Sequence, residues 1–179
     1  MITREQLKGA YSEGEALAIY HEVKSCGMGL AAFARSFMHD EDYQVARNAL
    51  WGLTKATDAE LSVLQPMMNE LIDLAMSTDN PSVRRLSLNV VERLEVNEED
   101  VRTDFLDFCF DRMVRLDEYP GIQSLCMKMA HRICSFFPEL KDELIRTLET
   151  MEIGYYKPAV KSVRRRILDD SLKPRRTKH

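Results

Sequence analysis

The sequence has 179 residues and a formal net charge of −4 at pH 7, which is room for one domain or two small ones. Glycine and proline number only 7 and 6, well below the roughly 12% of an average chain, which excludes collagen-like, linker-like and most β-sandwich folds. No apolar run approaches the roughly 20 residues that cross a bilayer, and the charged start lacks the apolar segment of a secretory signal. We therefore expect a cytoplasmic, helical protein.

The predicted elements are amphipathic helices. Residues 12–24 predict one helix that caps the amino end within about residues 1–27, because a stacked array needs an atypical first element. The following helices come in pairs, and the first helix of each pair has an apolar residue at every third or fourth position. In chain order these stripes are Leu30, Phe33 and Phe37; Leu61, Leu64, Met68, Leu71 and Ala75; Phe105, Phe108 or Cys109, Arg112 or Met113, and Leu116; and Leu140, Leu144, Leu148 and Met151.

Start signals mark several of these helices. Asn97 with Asp100 three residues later is similar to a capping box and predicts the start of the first helix in the third pair. Pro138 predicts the start of the first helix in the fourth pair, because proline is tolerated in the first turn. Asn80 and Pro81 predict a cap and a first turn for a second helix.

The second helix of each pair begins with an apolar anchor. The anchors recur every 38 to 39 residues, at Val45, Val83, Ile122 and Val160. Two helices repeated at this period predict an all-α fold, an α-solenoid in which stacked units bury a continuous core. We expect one domain over residues 1–168, with repeats at about 28–57, 58–95, 96–134 and 135–168, and a flexible basic tail over residues 169–179.

The turn acid and the Val–Arg pair that open the second helix resemble HEAT repeats. The clearest copy is Asp79-Asn80-Pro81-Ser82-Val83-Arg84, and Asp42 with Arg47 is a looser one. The resemblance covers about residues 28–168. It implies a right-handed α–α superhelix of the ARM/HEAT superfamily with the second helices on its concave face and the first helices on its convex face.

The chain is also similar to short bacterial HEAT-like proteins, some of which are labelled adenylosuccinate lyase. That label does not fit this sequence, which is a fraction of the length of such a lyase. It also lacks the Ser-Ser-x-Met-Pro-x-Lys-x-Asn loop that supplies the catalytic serine of that family.

No catalytic, cofactor or metal site is predicted, and we expect that the protein is not an enzyme. His39-Asp40 resembles the metal-binding pair of phosphohydrolases but lacks the distant ligands of that site, and no histidine has a ligand at zinc spacing. Phosphate-binding glycine loops and nucleophile motifs are absent. The cysteines form no Cys-x-x-Cys pair and are expected to be small core residues, namely Cys26, Cys109, Cys126 and Cys134.

Charge is sorted between the two helix layers. The predicted first helices (58–77, 98–117, 139–152) hold 16 acids and 5 bases, whereas the second helices (44–56, 82–94, 121–134, 157–168) hold 12 bases and one acid. Stacking would therefore make the concave face basic. Positions one, two, six and ten after each anchor should point away from the core, and partner-binding candidates at these positions are Arg47, Trp51, Arg85, Asn89, Lys128, Arg132, Lys161 and Arg166. Arg165 is a further candidate, in the basic run Arg164-Arg165-Arg166.

Two of these interpretations have structural alternatives. A tryptophan beside arginine is the composition of a binding hot spot, but Trp51 could instead pack under the amino-terminal helix. The arginines after the anchors, Arg47, Arg84 and Arg85, could pair with turn acids of neighbouring units.

A basic concave face favours a non-enzymatic scaffold that binds an acidic protein segment, because solenoids offer extended surfaces without a deep cleft. We expect no cofactor, no small-molecule substrate and no membrane partner.

The alternative is nucleic-acid binding through the same face and the basic tail, since residues 157–179 hold 9 bases and 2 acids. The sequence pI near 5.6 counts against a polyanion. A HEAT-like DNA glycosylase would need an acid beside Trp51, and none shares its predicted column.

Overall fold

The computed structural model describes the backbone of residues 1–172 and the side chains of residues 1–171. Over this range the chain forms α-helices and short 3₁₀ segments, with no β-strand. The predicted all-α fold is confirmed. The helices divide into two compact units, unit 1 (Met1–Glu95) and unit 2 (Val96 onward).

Unit 1 contains seven helices within the described residues. They are α1 (Arg4–Lys8), α2 (Glu13–Ser25), α3 (Leu30–Phe37), α4 (Tyr43–Leu53), α5 (Asp58–Leu61), α6 (Met68–Ser77) and α7 (Pro81–Glu92).

Helix α4 is the centre of unit 1, because it packs against α1, α2, α3 and α7. Its closest approach to α2 is at Gly52. A Cβ atom at this position would lie 2.8 Å from Cγ2 of Ile19, so the two helices meet where a side chain is missing. The predicted amino-terminal helix is confirmed as α2, and its cap is Ser12 in a capping box with Glu15.

The sequence pattern did not predict α1. This helix has five residues, which is too short to show helical periodicity. Thr3 caps it in a capping box with Gln6, and the fully buried Leu7 holds it against the core.

Pro66 changes the local helix type without breaking the apolar stripe. Because proline has no N–H to donate, the chain forms a 3₁₀ segment at Ser62–Met67 between α5 and α6. Leu64, Met67 and Met68 nevertheless remain buried, so the stripe still faces the core.

Unit 2 contains four helices within the described residues, α8 (Thr103–Val114), α9 (Pro120–Cys134), α10 (Pro138–Thr150) and α11 (Pro158–Leu172). Helix α9 is central and packs against the other three. Two 3₁₀ segments, Glu98–Asp100 and Ile153–Tyr155, precede α8 and α11.

The four predicted anchors occupy equivalent positions. Val45, Val83, Ile122 and Val160 are each the third residue of their helix, in α4, α7, α9 and α11. All four are at most 2% exposed. The helical repeat that the anchors predicted is therefore confirmed at the level of helix register and burial.

The start and the end of α8 differ from the prediction. Asn97 donates a side-chain hydrogen bond to Asp100 at 3.0 Å, and both belong to the turn around the 3₁₀ segment, so α8 begins at Thr103. The helix ends at Val114, which leaves Leu116 outside it and 63% exposed instead of in the core.

Part of the predicted basic tail lies within the described residues. Helix α11 continues to Leu172, so residues 169–172 are helical. The rest of that prediction, residues 173–179, lies outside the described residues.

Candidate functional site

In three of the four second helices, the first position after the anchor does not point to solvent as predicted. Ala46, Arg84 and Gln123 are 3%, 8% and 3% exposed. In unit 1, Arg84 Nε donates to the carbonyl of Ala75 at 2.9 Å, and Arg84 Nη2 donates to the carbonyl of Thr78. The last carbonyls of a helix lack intrahelical donors, so Arg84 serves as a cap for the end of α6.

Gln123 has the same role in unit 2. Its Nε2 donates to the carbonyl of Arg115 at 2.6 Å, directly after α8, and lies 3.5 Å from the carbonyl of Met113. In each unit, the side chain at this position of a second helix therefore donates hydrogen bonds to carbonyl groups at the end of the preceding first helix.

The fourth position after the anchor also binds the preceding first helix. Ser87 Oγ donates to the carbonyl of Leu71 at 2.7 Å in unit 1, and Arg164 Nε donates to the carbonyl of Leu148 at 2.6 Å in unit 2. Some arginines of the second helices thus donate hydrogen bonds to backbone carbonyls of their own unit.

Arg47 makes internal contacts in unit 1. Its Nε donates to Asn48 Oδ1 at 2.9 Å, and its Nη2 donates to the carbonyl of Ala10 at 3.3 Å. The buried Asn48 amide donates to the carbonyls of Leu7 and Ala10. Together these two side chains fix the turn after α1 against α4.

Trp51 is half-buried. Lys55 Nζ lies over the Trp51 ring, 5.9 Å from its centroid, and forms an ion pair with Glu13 in the first turn of α2. The amino-terminal helix therefore lies close to this ring. Of the other candidates in unit 1, Arg85 is exposed and Asn89 is half-buried.

Unit 2 brings two of the predicted residues together on one side of α11. Lys161 and Arg165 line an open depression of about 380 Å³, here called the basic depression. Its full lining is Ile153, Pro158, Lys161, Ser162, Arg164, Arg165, Leu168 and Asp169.

The other side of α11 holds a second pair. Lys128 of α9 and Arg166 of α11 line a depression of about 260 Å³, here called the α9–α11 depression. His131 Nε2 lies 3.1 Å from Asp170 Oδ2 at its edge, and Val163 and Ile167 supply apolar surface. Arg132 is half-buried on α9 and is not part of either lining.

Sequence reasoning missed several residues of this second depression. Val163, Ile167 and Asp170 follow one another at intervals of four and three on α11, which places them on one helical face beside Arg166. His131 follows Lys128 by three residues on α9 and shares its face. The spacing of these residues along α9 and α11 could have indicated that they share a face with Lys128 and Arg166.

Four basic side chains of unit 2 make no hydrogen bond or ion pair with another described residue, namely Lys128, Lys161, Arg165 and Arg166. An anionic group of a partner could therefore contact them without displacing an internal acceptor. Because the depressions are open to solvent, each such contact would be weak alone, and several are needed for useful affinity.

Two of the buried cysteines have thiols with raised pKa values. Cys109, Cys126 and Cys134 are buried as expected, whereas Cys26 is exposed, contrary to prediction, because it follows the end of α2. Burial raises the pKa of the Cys109 thiol well above its ordinary value and raises the pKa of Cys134 to about 11. These two thiols are protonated at neutral pH and are poor nucleophiles.

The described part of the chain holds neither a metal-binding cluster nor a helix that could span a membrane. Among residues 1–172, no group of three or more histidine, cysteine, aspartate or glutamate side chains could hold a metal ion. No helix in the same range combines the length and the apolar character that a membrane span requires.

Comparisons with known proteins gave one match. A family model described as a HEAT repeat domain matches residues 3–171, which is most of the chain. The comparison with curated proteins and the comparison with solved structures found no match.

Proposed function

We propose that this chain, which belongs to the HEAT repeat family, is a non-enzymatic scaffold that binds an acidic segment of a protein partner. HEAT repeats generally serve protein interaction, and the observation that carries the finer proposal is the basic surface of α11. On its two sides, Lys161 with Arg165 and Lys128 with Arg166 line open depressions and lack internal partners among the described residues.

The mixed lining favours a protein segment over a polyphosphate. Asp169 lines the basic depression, and Asp170 lines the α9–α11 depression. A nucleic-acid backbone would bring phosphates against both carboxylates, which costs free energy. A protein segment can place carboxylates at the basic residues and leave neutral or apolar groups beside the two aspartates.

The apolar part of the lining supports the same choice. Val163 and Ile167 in the α9–α11 depression, and Ile153 and Leu168 in the basic depression, offer surface that an aliphatic side chain can cover. Such a combination of apolar contact and peripheral charge is typical of protein–protein recognition.

The remaining elements of the proposal have separate support. A scaffold role fits depressions that are open rather than enclosed, since a site that excludes water strengthens the electrostatic interactions used in catalysis. A cytoplasmic location fits four cysteines without a disulfide. We also propose that the helices are organised in repeats at about residues 28–57, 58–95, 96–134 and 135–168, and that Arg85 and Asn89 of unit 1 are partner-binding residues as well.

Nucleic-acid binding is the second candidate, and the run Arg164-Arg165-Arg166 favours it. Arg165 and Arg166 are exposed, and guanidinium groups are suited to phosphate oxygens. Binding of this kind would fall log-linearly with salt, with a steep loss between about 50 and 200 mM.

Fluorescence anisotropy with charged probes tests the proposal. A labelled glutamate-rich peptide should bind the full chain at low salt, and its glutamine counterpart should bind at least about tenfold more weakly. The double variant Lys161→Glu, Arg165→Glu should lose the difference between the two peptides. The matched control, Lys141→Glu with Arg146→Glu on α10, makes the same change of net charge outside both depressions and should keep it.

The possible results separate the candidates. Equal binding of the two peptides, or equal loss in the control variant, would overturn the proposal. A labelled single strand or duplex that binds more tightly than the glutamate-rich peptide, and depends on Arg165 and Arg166, would replace it with nucleic-acid binding.

A further inference from the structure

A third depression in unit 2 is apolar and is not used by the function proposed above. Its volume is about 480 Å³, here called the apolar depression. It is lined by Val114, Leu116, Thr147, Thr150, Met151, Glu152, Tyr155 and Tyr156. Leu116 and Tyr155 are 63% and 71% exposed. Large apolar side chains that are exposed around one concavity mark an interaction site more often than scattered ones do.

The wall of this depression is fixed in place. Tyr156 is 9% exposed, and its hydroxyl donates to the carbonyl of Val114 at 2.7 Å, which ties the segment before α11 to the end of α8. Thr150 Oγ1 donates to the carbonyl of Thr147 at 2.9 Å, so this hydroxyl is already satisfied. The depression therefore exists before any partner binds, which reduces the ordering cost of binding.

The apolar and basic depressions have a common border. The 3₁₀ segment Ile153–Tyr155 contributes Ile153 to the basic depression and Tyr155 to the apolar depression. A helical segment with its side chains is about 10 Å wide, and an extended chain covers that distance in roughly three residues. One short peptide segment can therefore reach both depressions.

The charges of the two depressions indicate which part of such a segment binds in each depression. The basic depression holds Lys161 and Arg165, whereas the apolar depression has Glu152 as its single charged lining residue. Carboxylates of a ligand are attracted to the first and repelled by the second. The apolar group of the ligand is then left for the surface of Leu116 and Tyr155.

We propose that unit 2 recognises a linear segment of a partner protein in which a bulky apolar residue lies roughly three to five positions from two or more acidic residues. The apolar residue occupies the apolar depression, and the acidic residues contact Lys161 and Arg165 across Ile153–Tyr155. This inference rests on the proposed function and adds the anchor residue, which would supply most of the binding free energy.

Selection of random peptides displayed on phage against the full chain tests the motif. Enriched peptides should share an aromatic or branched aliphatic residue and acidic residues at that spacing. Enrichment of acidic peptides without a common apolar residue, or no enrichment at all, would overturn the inference.

Variants then separate the two depressions. With a synthetic peptide from the selection, Leu116→Ser with Tyr155→Ser should weaken binding at least about tenfold. Lys161→Glu with Arg165→Glu should do the same. The matched control is Tyr119→Ser, because Tyr119 is also a large exposed residue, 59% exposed, but is not part of the lining. The control should change affinity by less than about twofold, and all variants should melt within a few degrees of the parent chain by circular dichroism.

The pattern of losses tells the two proposals apart. If the Leu116 and Tyr155 variant binds normally while the Lys161 and Arg165 variant does not, the anchor is wrong and the scaffold with an acidic ligand stands. If both variants bind normally, both proposals are wrong.

Discussion

Most basic residues of the second helices of unit 1 bond inside that unit, whereas most of those of α11 in unit 2 do not do so within the described residues. In unit 1, Arg84 caps α6, and Arg93 Nε binds the carboxylate of Asp58 at 2.8 Å while its Nη groups donate to the carbonyls of Thr54 and Ala56. In unit 2, Arg164 Nε on α11 donates to the carbonyl of Leu148, whereas Lys161, Arg165 and Arg166 line the open depressions.

This difference shows that charge on a helix does not by itself identify a binding surface. An arginine near the end of another helix satisfies carbonyls that have no other donor. An arginine beyond the reach of such carbonyls keeps its donors for a ligand. The predictions below test whether this division between internal and external roles is correct.

The largest effect is expected for Arg84→Met in unit 1. Methionine keeps much of the apolar volume but removes the donors to the carbonyls of Ala75 and Thr78. Loss of charged donors to buried acceptors should lower the free energy of unfolding by about 2–3 kcal/mol, measured by urea denaturation. The neighbouring change Arg85→Met, at an exposed residue, should cost less than about 0.5 kcal/mol. Similar losses in both variants would contradict the capping role.

A smaller effect is expected for Gln123→Leu in unit 2. The neutral amide donates to the carbonyl of Arg115, and neutral hydrogen bonds contribute roughly half as much as charged ones. The free energy of unfolding should therefore fall by about 1 kcal/mol. Ser124→Ala is the control, because the Ser124 hydroxyl is buried and has no hydrogen-bond partner within the described residues. That variant should be as stable as the parent chain or slightly more stable.

Glu60 provides a pH-dependent test of the internal contacts in unit 1. Hydrogen bonds from Lys24, the Thr57 backbone and Tyr20 lower the pKa of Glu60 from 4.5 to about 2. A carboxylate whose folded pKa is depressed stabilises the fold above its unfolded pKa and loses this effect as the pH falls through the folded pKa.

Glu60→Gln should therefore reduce the melting temperature by a few degrees at pH 7, and the difference should shrink between about pH 5 and pH 2. Glu70→Gln on α6, at an exposed residue, is the comparison variant and should show no such trend. A constant difference across this pH range would show that the contacts of the ionised carboxylate do not stabilise unit 1.

The smallest effect on stability is expected for Lys161→Glu with Arg165→Glu. These residues have no internal partner among the described residues, so the free energy of unfolding should change by less than about 0.5 kcal/mol. Calorimetry measures the stability of this variant. A variant that keeps its stability but loses peptide binding would show that Lys161 and Arg165 have an external role. A loss comparable to that of Arg84→Met would assign a structural role to the basic residues of α11 as well.

Periodicity was sufficient to predict the repeat. The anchors Val45, Val83, Ile122 and Val160 were found because an apolar residue in the first turn of a packed helix recurs whenever the packing recurs. The burial of Arg84 and Gln123 could not be read in the same way. Their role depends on where the preceding helix ends, and a helical wheel of one helix contains no information about another.

The candidate site was predictable only in part. Lys128, Lys161 and Arg166 were selected from their positions after the anchors, and Arg165 was selected from the basic run around it. Each of the four lines a depression in the structure. The apolar depression was missed for a physical reason. Leu116 follows the stripe of α8 but lies past its end, and the segment Ile153–Tyr155 has no periodic pattern.

The contacts of Arg93 have a consequence for biosynthesis. Its guanidinium supplies donors to the turn at Thr54 and Ala56, yet it follows Thr54 by 39 positions in the chain. While the ribosome is still making the intervening residues, that turn lacks these donors and only water can take their place. The amino-terminal helices can therefore form early during translation, but the turn after α4 reaches its final geometry only once α7 has left the exit tunnel.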